Sequence, residues 1–322
     1  MSGTGRRTTV MGMKRRPVCG EDSRVPYCAP TVYRSLPTAD SEILATRHDP
    51  KIPDQYGESR DLAAVVAHGF SGSMERLALR EVTNGLRKYV GVQVMDLRGH
   101  GRSTGLCTFG DREALDVDAA VGAARTLGYL RVVTIGWSMG AGAVLRHAGL
   151  AKTGTLCHGH RLRHPPDAVI SVSAASRWFV RDTAPMRRIH WFAESATGRM
   201  VARTGLRVRI DPGAFVPVPL SPLELIGAIA PTPLLIVHGG RDRYFTLEHP
   251  RALGAASGGH AQVWIEPEFG HAEAGLSPGL LDRIGSHMVE LAGPASTPVR
   301  ADGPAAGPAT GSAPESSKGW AS

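Results

Sequence analysis

The chain has 322 residues, 42% of them hydrophobic and 20% charged, and its formal net charge of +8 rests on arginine, since only Lys14, Lys51, Lys88, Lys152 and Lys318 are lysines. Such a chain can build one large or two small globular domains; no window reaches the apolar length of a membrane span, and arginines scattered in small clusters such as Arg6-Arg7 and Arg187-Arg188 argue against a nucleic-acid partner. Cys19, Cys28, Cys107 and Cys157 form no C-x-x-C pair, which argues against a disulfide framework and suits a reduced, cytoplasmic setting.

From the amino terminus, residues 1–30 are polar, basic and broken by Gly and Pro, and no apolar stretch of the kind a signal peptide needs follows Arg6-Arg7. The Val/Ile-rich run "LAAVVAHG" (62–69) then reads as a buried strand, and "SMERLALREVTNGLRKY" (73–89) as a helix with apolar groups at helical intervals. The same alternation continues with strand "VGVQVMDLRG" (90–99), helix "DREALDVDAAVGAARTLG" (111–128), and strands "RVVTIGWS" (131–138) and "DAVISVSA" (167–174). Residues 176–221 break the rhythm, with at most short amphipathic helices, and are expected to form a small cap. Strands "PLLIVHGG" (233–240) and "AQVWIEP" (261–267) follow, and from 294 onward the chain is again too poor in large apolar groups to pack. The expectation is an α/β domain over 31–293, a mostly parallel, doubly wound sheet with helices on both faces, between two disordered tails.

The strand at 131–138 ends in Gly136-Trp137-Ser138-Met139-Gly140 and is followed by the small residues Ala141, Gly142 and Ala143. A nucleophile on a tight strand-to-helix turn needs unbulky neighbours two before and two after it, because the two backbones crowd there. Gly136 and Gly140 meet that need. The turn sets the Ser138 hydroxyl at a helix N-terminus, where amides and the helix dipole favour a developing anion. Serine is a weak nucleophile, so a base must take its proton and an acid must orient that base. Asp242 and His271 each lie just beyond the carboxyl end of a predicted strand, where open α/β sheets bind ligands. His238 lies inside a strand and reads as structural; His249 and His260 are weaker candidates for the base, as are Asp211 and Glu266 for the acid.

Four separated motifs, "HGFSG" (68–72), "DLRGHGRS" (96–103), "GWSMG" (136–140) and the pair "HGGRDRYF" with "FGHAE", occur in the order and spacing that resemble the α/β-hydrolase superfamily over roughly residues 31–292. The resemblance implies an α/β-hydrolase fold with a small helical cap insertion, and a nucleophile–acid–base order of Ser138, Asp242, His271. It also implies an oxyanion hole from the backbone N–H groups of Phe70 and Met139, while the 96–103 stretch is mainly a structural turn, so His100 is given no catalytic role. The expected activity is that of a serine esterase or lipase-like hydrolase on a small-molecule acyl substrate, through an acyl-serine and without metal or organic cofactor. A thioesterase, an acyltransferase or a non-catalytic binding protein on the same scaffold are the alternatives.

Cys157, His158, His160 and His164 match no familiar zinc spacing and read as a fortuitous cluster in a polar loop. Trp137, beside the serine, either lines the acyl pocket or packs beneath the turn. Trp178, Phe179, Trp191 and Phe192 are candidates for an apolar substrate wall or for the cap's own core.

Overall fold

The computed structural model describes residues 30–53, 61–213 and 215–293, so the two expected tails lie outside the described residues. Among them, eight strands form one sheet: β1 (Val32–Pro37), β2 (Ile43–Asp49), β3 (Leu62–Ala67), β4 (Gly91–Met95), β5 (Arg131–Trp137), β6 (Ala168–Val172), β7 (Leu234–Gly239) and β8 (Gln262–Glu266). Their spatial order is β1-β2-β4-β3-β5-β6-β7-β8. From β4 through to β8 every pairing is parallel, with Val66 opposite Ile135 and Gly136 opposite Ser171 at the centre.

The six runs read as strands are β3 to β8. Strands β1 and β2, which the sequence reading did not mark, pair antiparallel with each other, and β2 pairs antiparallel with β4. Neither carries an apolar run: β1 sits at the edge with most of its residues exposed, and β2 buries Thr46, Arg47, His48 and Asp49. Burying Arg47 is tolerable because its guanidinium donates to Asp49 Oδ2, Met74 O and Thr83 Oγ1, each at 2.8 Å.

Helices cover both faces. One face packs against α1 (Leu77–Leu86), and the other against α2 (Glu113–Thr126) and α3 (Met139–Thr153). Residues 184–201 form α4 (Ala184–Glu194) and α5 (Ala196–Val201), followed by a π-helical turn at Ala202–Leu206. Then come the short α6 (Pro222–Leu225), α7 (Glu248–Ala256) on the α2–α3 face, and α8 (Pro278–Ala292) beside α1. Helix α1 starts later than the periodicity suggests because Met74 N–H is held by Asp96 Oδ1 at 2.7 Å, which keeps 73–76 in a turn.

The 96–103 stretch is a hydrogen-bonded turn. Asp96 accepts from Met74 N–H and, at 2.9 Å, from Arg102 N–H, while Arg98 is clamped between Asp116 and Asp40, both at 2.7 Å. Burial lowers the pKa of His100 to about 3, so it stands as a neutral imidazole. Cys107 N–H donates to Arg209 O at 2.7 Å and Arg209 N–H to Gly99 O at 2.9 Å, which ties the 176–221 segment to this turn. The Cys157–His164 loop disperses its side chains: His158 meets Asp111 at 2.7 Å and His164 N–H donates to Asp118 at 2.8 Å. Among the described residues, no group of three or more His, Cys, Asp or Glu is placed to hold a metal ion, and no helix is long and apolar enough to cross a membrane.

Candidate active site

Strand β5 passes into α3 through a single residue. Ser138 has φ 52° and ψ −110°, a left-handed backbone that a serine rarely adopts, so the surroundings must hold it there. They do so by close approach. A Cβ at position 136 would lie 2.2 Å from Gly140 O, and one at position 140 would lie 2.3 Å from Ala67 O, so only glycine fits either place. Ser138 N–H donates to Val172 O at 2.9 Å, anchoring the turn to β6.

Beyond β7, the Asp242 side chain is fully buried and both of its oxygens are engaged. Oδ1 accepts from Tyr244 N–H at 2.7 Å and Phe245 N–H at 3.0 Å; Oδ2 lies 2.7 Å from His271 Nδ1. His271 Nε2 in turn lies 2.9 Å from Ser138 Oγ. A carboxylate facing Nδ1 puts the ring proton there and leaves Nε2 free to accept from the hydroxyl. The imidazole is stacked by Tyr244, with centroids 4.3 Å apart, and flanked edge-on by Phe245 at 5.5 Å. The loop carrying His271 comes close to β7: a Cβ on Gly239 would sit 2.1 Å from Gly270 O.

Two neighbours support this arrangement, His238, read above as structural, and Glu273, which the sequence did not single out. His238 donates from Nε2 to Phe245 O at 3.0 Å and lies 3.6 Å from Asp242 Oδ2; burial lowers its pKa. It therefore braces the aspartate loop as a neutral ring, consistent with a structural strand histidine. Glu273 crosses to the opposite loop, where its Oε1 accepts from Gly69 N–H at 2.7 Å. The same Gly69 is held from behind, because His68 Nε2 accepts from Leu97 N–H at 3.0 Å and its Nδ1–H donates to Gly69 O at 2.8 Å. That clamp presents the Phe70 amide, which finds no acceptor among the described residues, while the Met139 amide opens α3 and has no intrahelical partner.

A cavity of about 420 Å³ opens over Ser138 and His271. Its walls come from the Gly69–Ser71 loop, from α4 through Met186, Ile189, His190 and Ala193, and from the loop around Phe215. Trp178 lies in the wall, with its Nε1–H donating to Pro219 O at 2.7 Å. Two other tryptophans do not. Trp137 is completely buried on the α1–α8 face of the sheet beside Val133, Ile135 and Val172, since strand alternation turns it away from the cavity. Trp191 is 45% exposed, because the 3.6-residue period carries it off the face of α4 that turns inward. Phe192 packs on the protein core and likewise lies outside the cavity.

The rival candidates go elsewhere. Asp211 is in the cavity wall but accepts from Gly213 N–H at 2.8 Å, and Glu266 pairs with Arg283 at 3.0 Å. His249 accepts from Ser176 N–H at 3.1 Å with its pKa lowered to about 4 by burial, and His260 meets Thr232 O at 2.6 Å.

The fold and this placement can be set beside known proteins. The Pyrococcus furiosus esterase Pf2001 is 21% identical over 81% of this chain and 91% of its own, with a TM-score of 0.58. Est1E from Butyrivibrio proteoclasticus, solved with ferulic acid bound, is 19% identical over 80% of this chain and 98% of its own, at a TM-score of 0.52. XC6422 from Xanthomonas campestris, described as a serine hydrolase without a lid, is 17% identical over 82% and 95%, at 0.53. At these identities the likeness is one of fold. Comparison with curated protein sequences gives no match. A family model described as "Alpha/beta hydrolase family" matches residues 64–281. The chain belongs to the alpha/beta hydrolase family.

Proposed function

We propose that the protein is a serine hydrolase that cleaves a carboxylic ester through an acyl-serine intermediate, with Ser138 as nucleophile, His271 as general base and Asp242 as its orienting acid. The observation that carries this reading is the continuous hydrogen-bonded line from Asp242 Oδ2 through His271 to Ser138 Oγ, ending in a cavity. Residues 176–221 act as a cap over that cavity.

In the first half-reaction Ser138 Oγ bonds to the ester carbonyl carbon as its proton passes to His271 Nε2. The carbonyl oxygen takes the negative charge and is met by the Phe70 and Met139 amides, donors of a kind worth about 3 kcal/mol each. The C–O bond to the alcohol breaks, and the imidazolium returns the proton to the departing alkoxide. Water then attacks the acyl-serine with His271 again as base, and the acid leaves as Ser138 recovers its proton.

Esterase-named structural neighbours and family membership support this class of reaction. The test is hydrolysis of p-nitrophenyl acetate by the wild type and by Ser138→Ala, together with covalent labelling by a fluorophosphonate. Wild-type turnover and labelling, both lost in the variant, are expected. Turnover that survives Ser138→Ala rejects the assignment.

A further inference from the structure

Five of the chain's seven phenylalanines, Phe70, Phe109, Phe179, Phe215 and Phe245, line the one cavity above Ser138. The central strands, by contrast, are filled mainly by Val, Ala, Leu and Ile, with Trp137 as their one buried Phe, Tyr or Trp ring.

The rings are also connected. Phe70, on the loop beside Ser138, stacks on Phe109 with centroids 5.2 Å apart and planes 24° from parallel. Phe215 continues the line, 6.5 Å from Phe109, 4.7 Å from Trp178 and 5.6 Å from Phe179, the last pair crossing at 71°. Tyr244, also in the cavity lining, stacks against the His271 ring. A group held at Ser138 thus lies in a cavity lined by connected rings, and Phe179, 50% exposed, has surface left for a further ring.

The charges in the wall select against an acidic group. Arg177 is paired with Asp182 at 3.3 Å and Glu248 at 3.0 Å, and His190 with Glu194 at 2.9 Å, while the Glu273 carboxylate sits on Gly69, which itself lies against the Ser138 Cβ. A substrate carboxylate beside the serine would meet Glu273 and no uncommitted cation among the described wall residues.

We infer, building on the serine-hydrolase reading, that the substrate is an ester bearing an uncharged aromatic ring within a few bonds of the cleaved carbonyl. A straight alkyl chain of equal carbon number has at least as much apolar surface to bury, so plain hydrophobicity would favour the chain. Only the directional ring contacts reverse that order.

The experiment compares kcat/KM for matched pairs by proton release: ethyl hydrocinnamate against ethyl nonanoate, whose acyl groups have equal carbon number, and phenethyl acetate against octyl acetate, matched in the alcohol. The ring-bearing member of at least one pair is expected to lead by about 10-fold, the product of roughly two ring contacts, and the pair that leads tells which half of the ester carries the ring. Phe215→Leu, which keeps an apolar side chain but removes the central ring, is expected to reduce that lead at least threefold, by the loss of about one ring contact. Ser138-dependent hydrolysis with the alkyl ester equal or ahead in both pairs overturns the inference and leaves the hydrolase reading standing. A second readout does not depend on catalysis: Ser138→Ala titrated calorimetrically with benzylacetone and with the straight-chain methyl ketone of the same carbon number. Tighter binding of the aromatic ketone supports the ring site even if no ester is turned over, and equal or weaker binding overturns it.

Discussion

Glu273 links the two loops that meet at Ser138, the one carrying His271 and the one carrying Phe70. Its hydrogen bond to Gly69 N–H fixes where the next amide, that of Phe70, points. Because the contact needs an acceptor and not a charge, Glu273→Gln is expected to keep kcat within about threefold, whereas Glu273→Ala, which frees the loop, should lower kcat by up to about 100-fold with little change in KM, as for a displaced oxyanion donor. Equal losses in both variants would point to the charge instead. Nothing local marks this residue: it stands two places after His271, but its partner is 204 residues away in sequence. Ser138, by contrast, was legible because its turn imposes small residues on its immediate neighbours. Asp242 and His271 were legible because each follows a strand. Trp137 was ambiguous by proximity alone, since one step along a strand reverses the face a side chain takes.

Helix α4 shows how an element of the cavity wall is set in place. Its N-cap, Thr183, accepts from Met186 N–H and donates to Tyr244 O at 2.9 Å, joining the helix to the loop of Asp242. Thr183→Ala removes both contacts and is expected to cost about 1 kcal/mol in urea melting. A loss below a few tenths would mean that packing alone holds the helix. The strands β3 to β7 could be read because burial on both faces demands apolar runs rich in Val and Ile, and the edge strand β8, though largely exposed, keeps the β-formers Val263, Trp264 and Ile265. The edge pair β1 and β2 could not, because one is exposed and the other hides its polar residues through hydrogen bonds such as those of Arg47, which no hydropathy pattern records. Likewise, residues 176–221 held too weak a periodicity to place α4 and α5 individually.

Across the whole molecule, His100, His238 and His249 are packed as neutral rings. Burial, the largest cause in each, depresses their pKa values, to about 3 for His100 and about 4 for His249. In the unfolded chain a histidine takes up its proton near pH ~6.5, so below that pH the unfolded state holds more protons and stability falls as pH falls. The melting temperature should therefore drop between about pH 6.5 and 4, starting well above the range in which most carboxylates titrate, with roughly two to three protons taken up by these rings per unfolding event near pH 5. Calorimetric melts across that range check it, and a flat profile would contradict the burial of these rings. These three sites lie on different elements, so the acid sensitivity is spread over the fold and not confined to one loop.

The carboxylate that steadies Gly69 also bears on how a turnover ends. In the proposed reaction, ester cleavage turns a neutral molecule into an acid that ionises where it is made, in the cavity that Glu273 also lines. Two like charges in a partly buried space repel, so the newly formed anion is pushed outward while a neutral alcohol feels no such force. Acid products should accordingly be poor inhibitors of the wild type, and Glu273→Gln should bind them more tightly while hydrolysing esters at nearly the same initial rate. Inhibition constants for hydrocinnamate measured on the two proteins would register that difference, and the favoured direction of the overall reaction would then owe part of its speed to a residue that never touches the bond being broken.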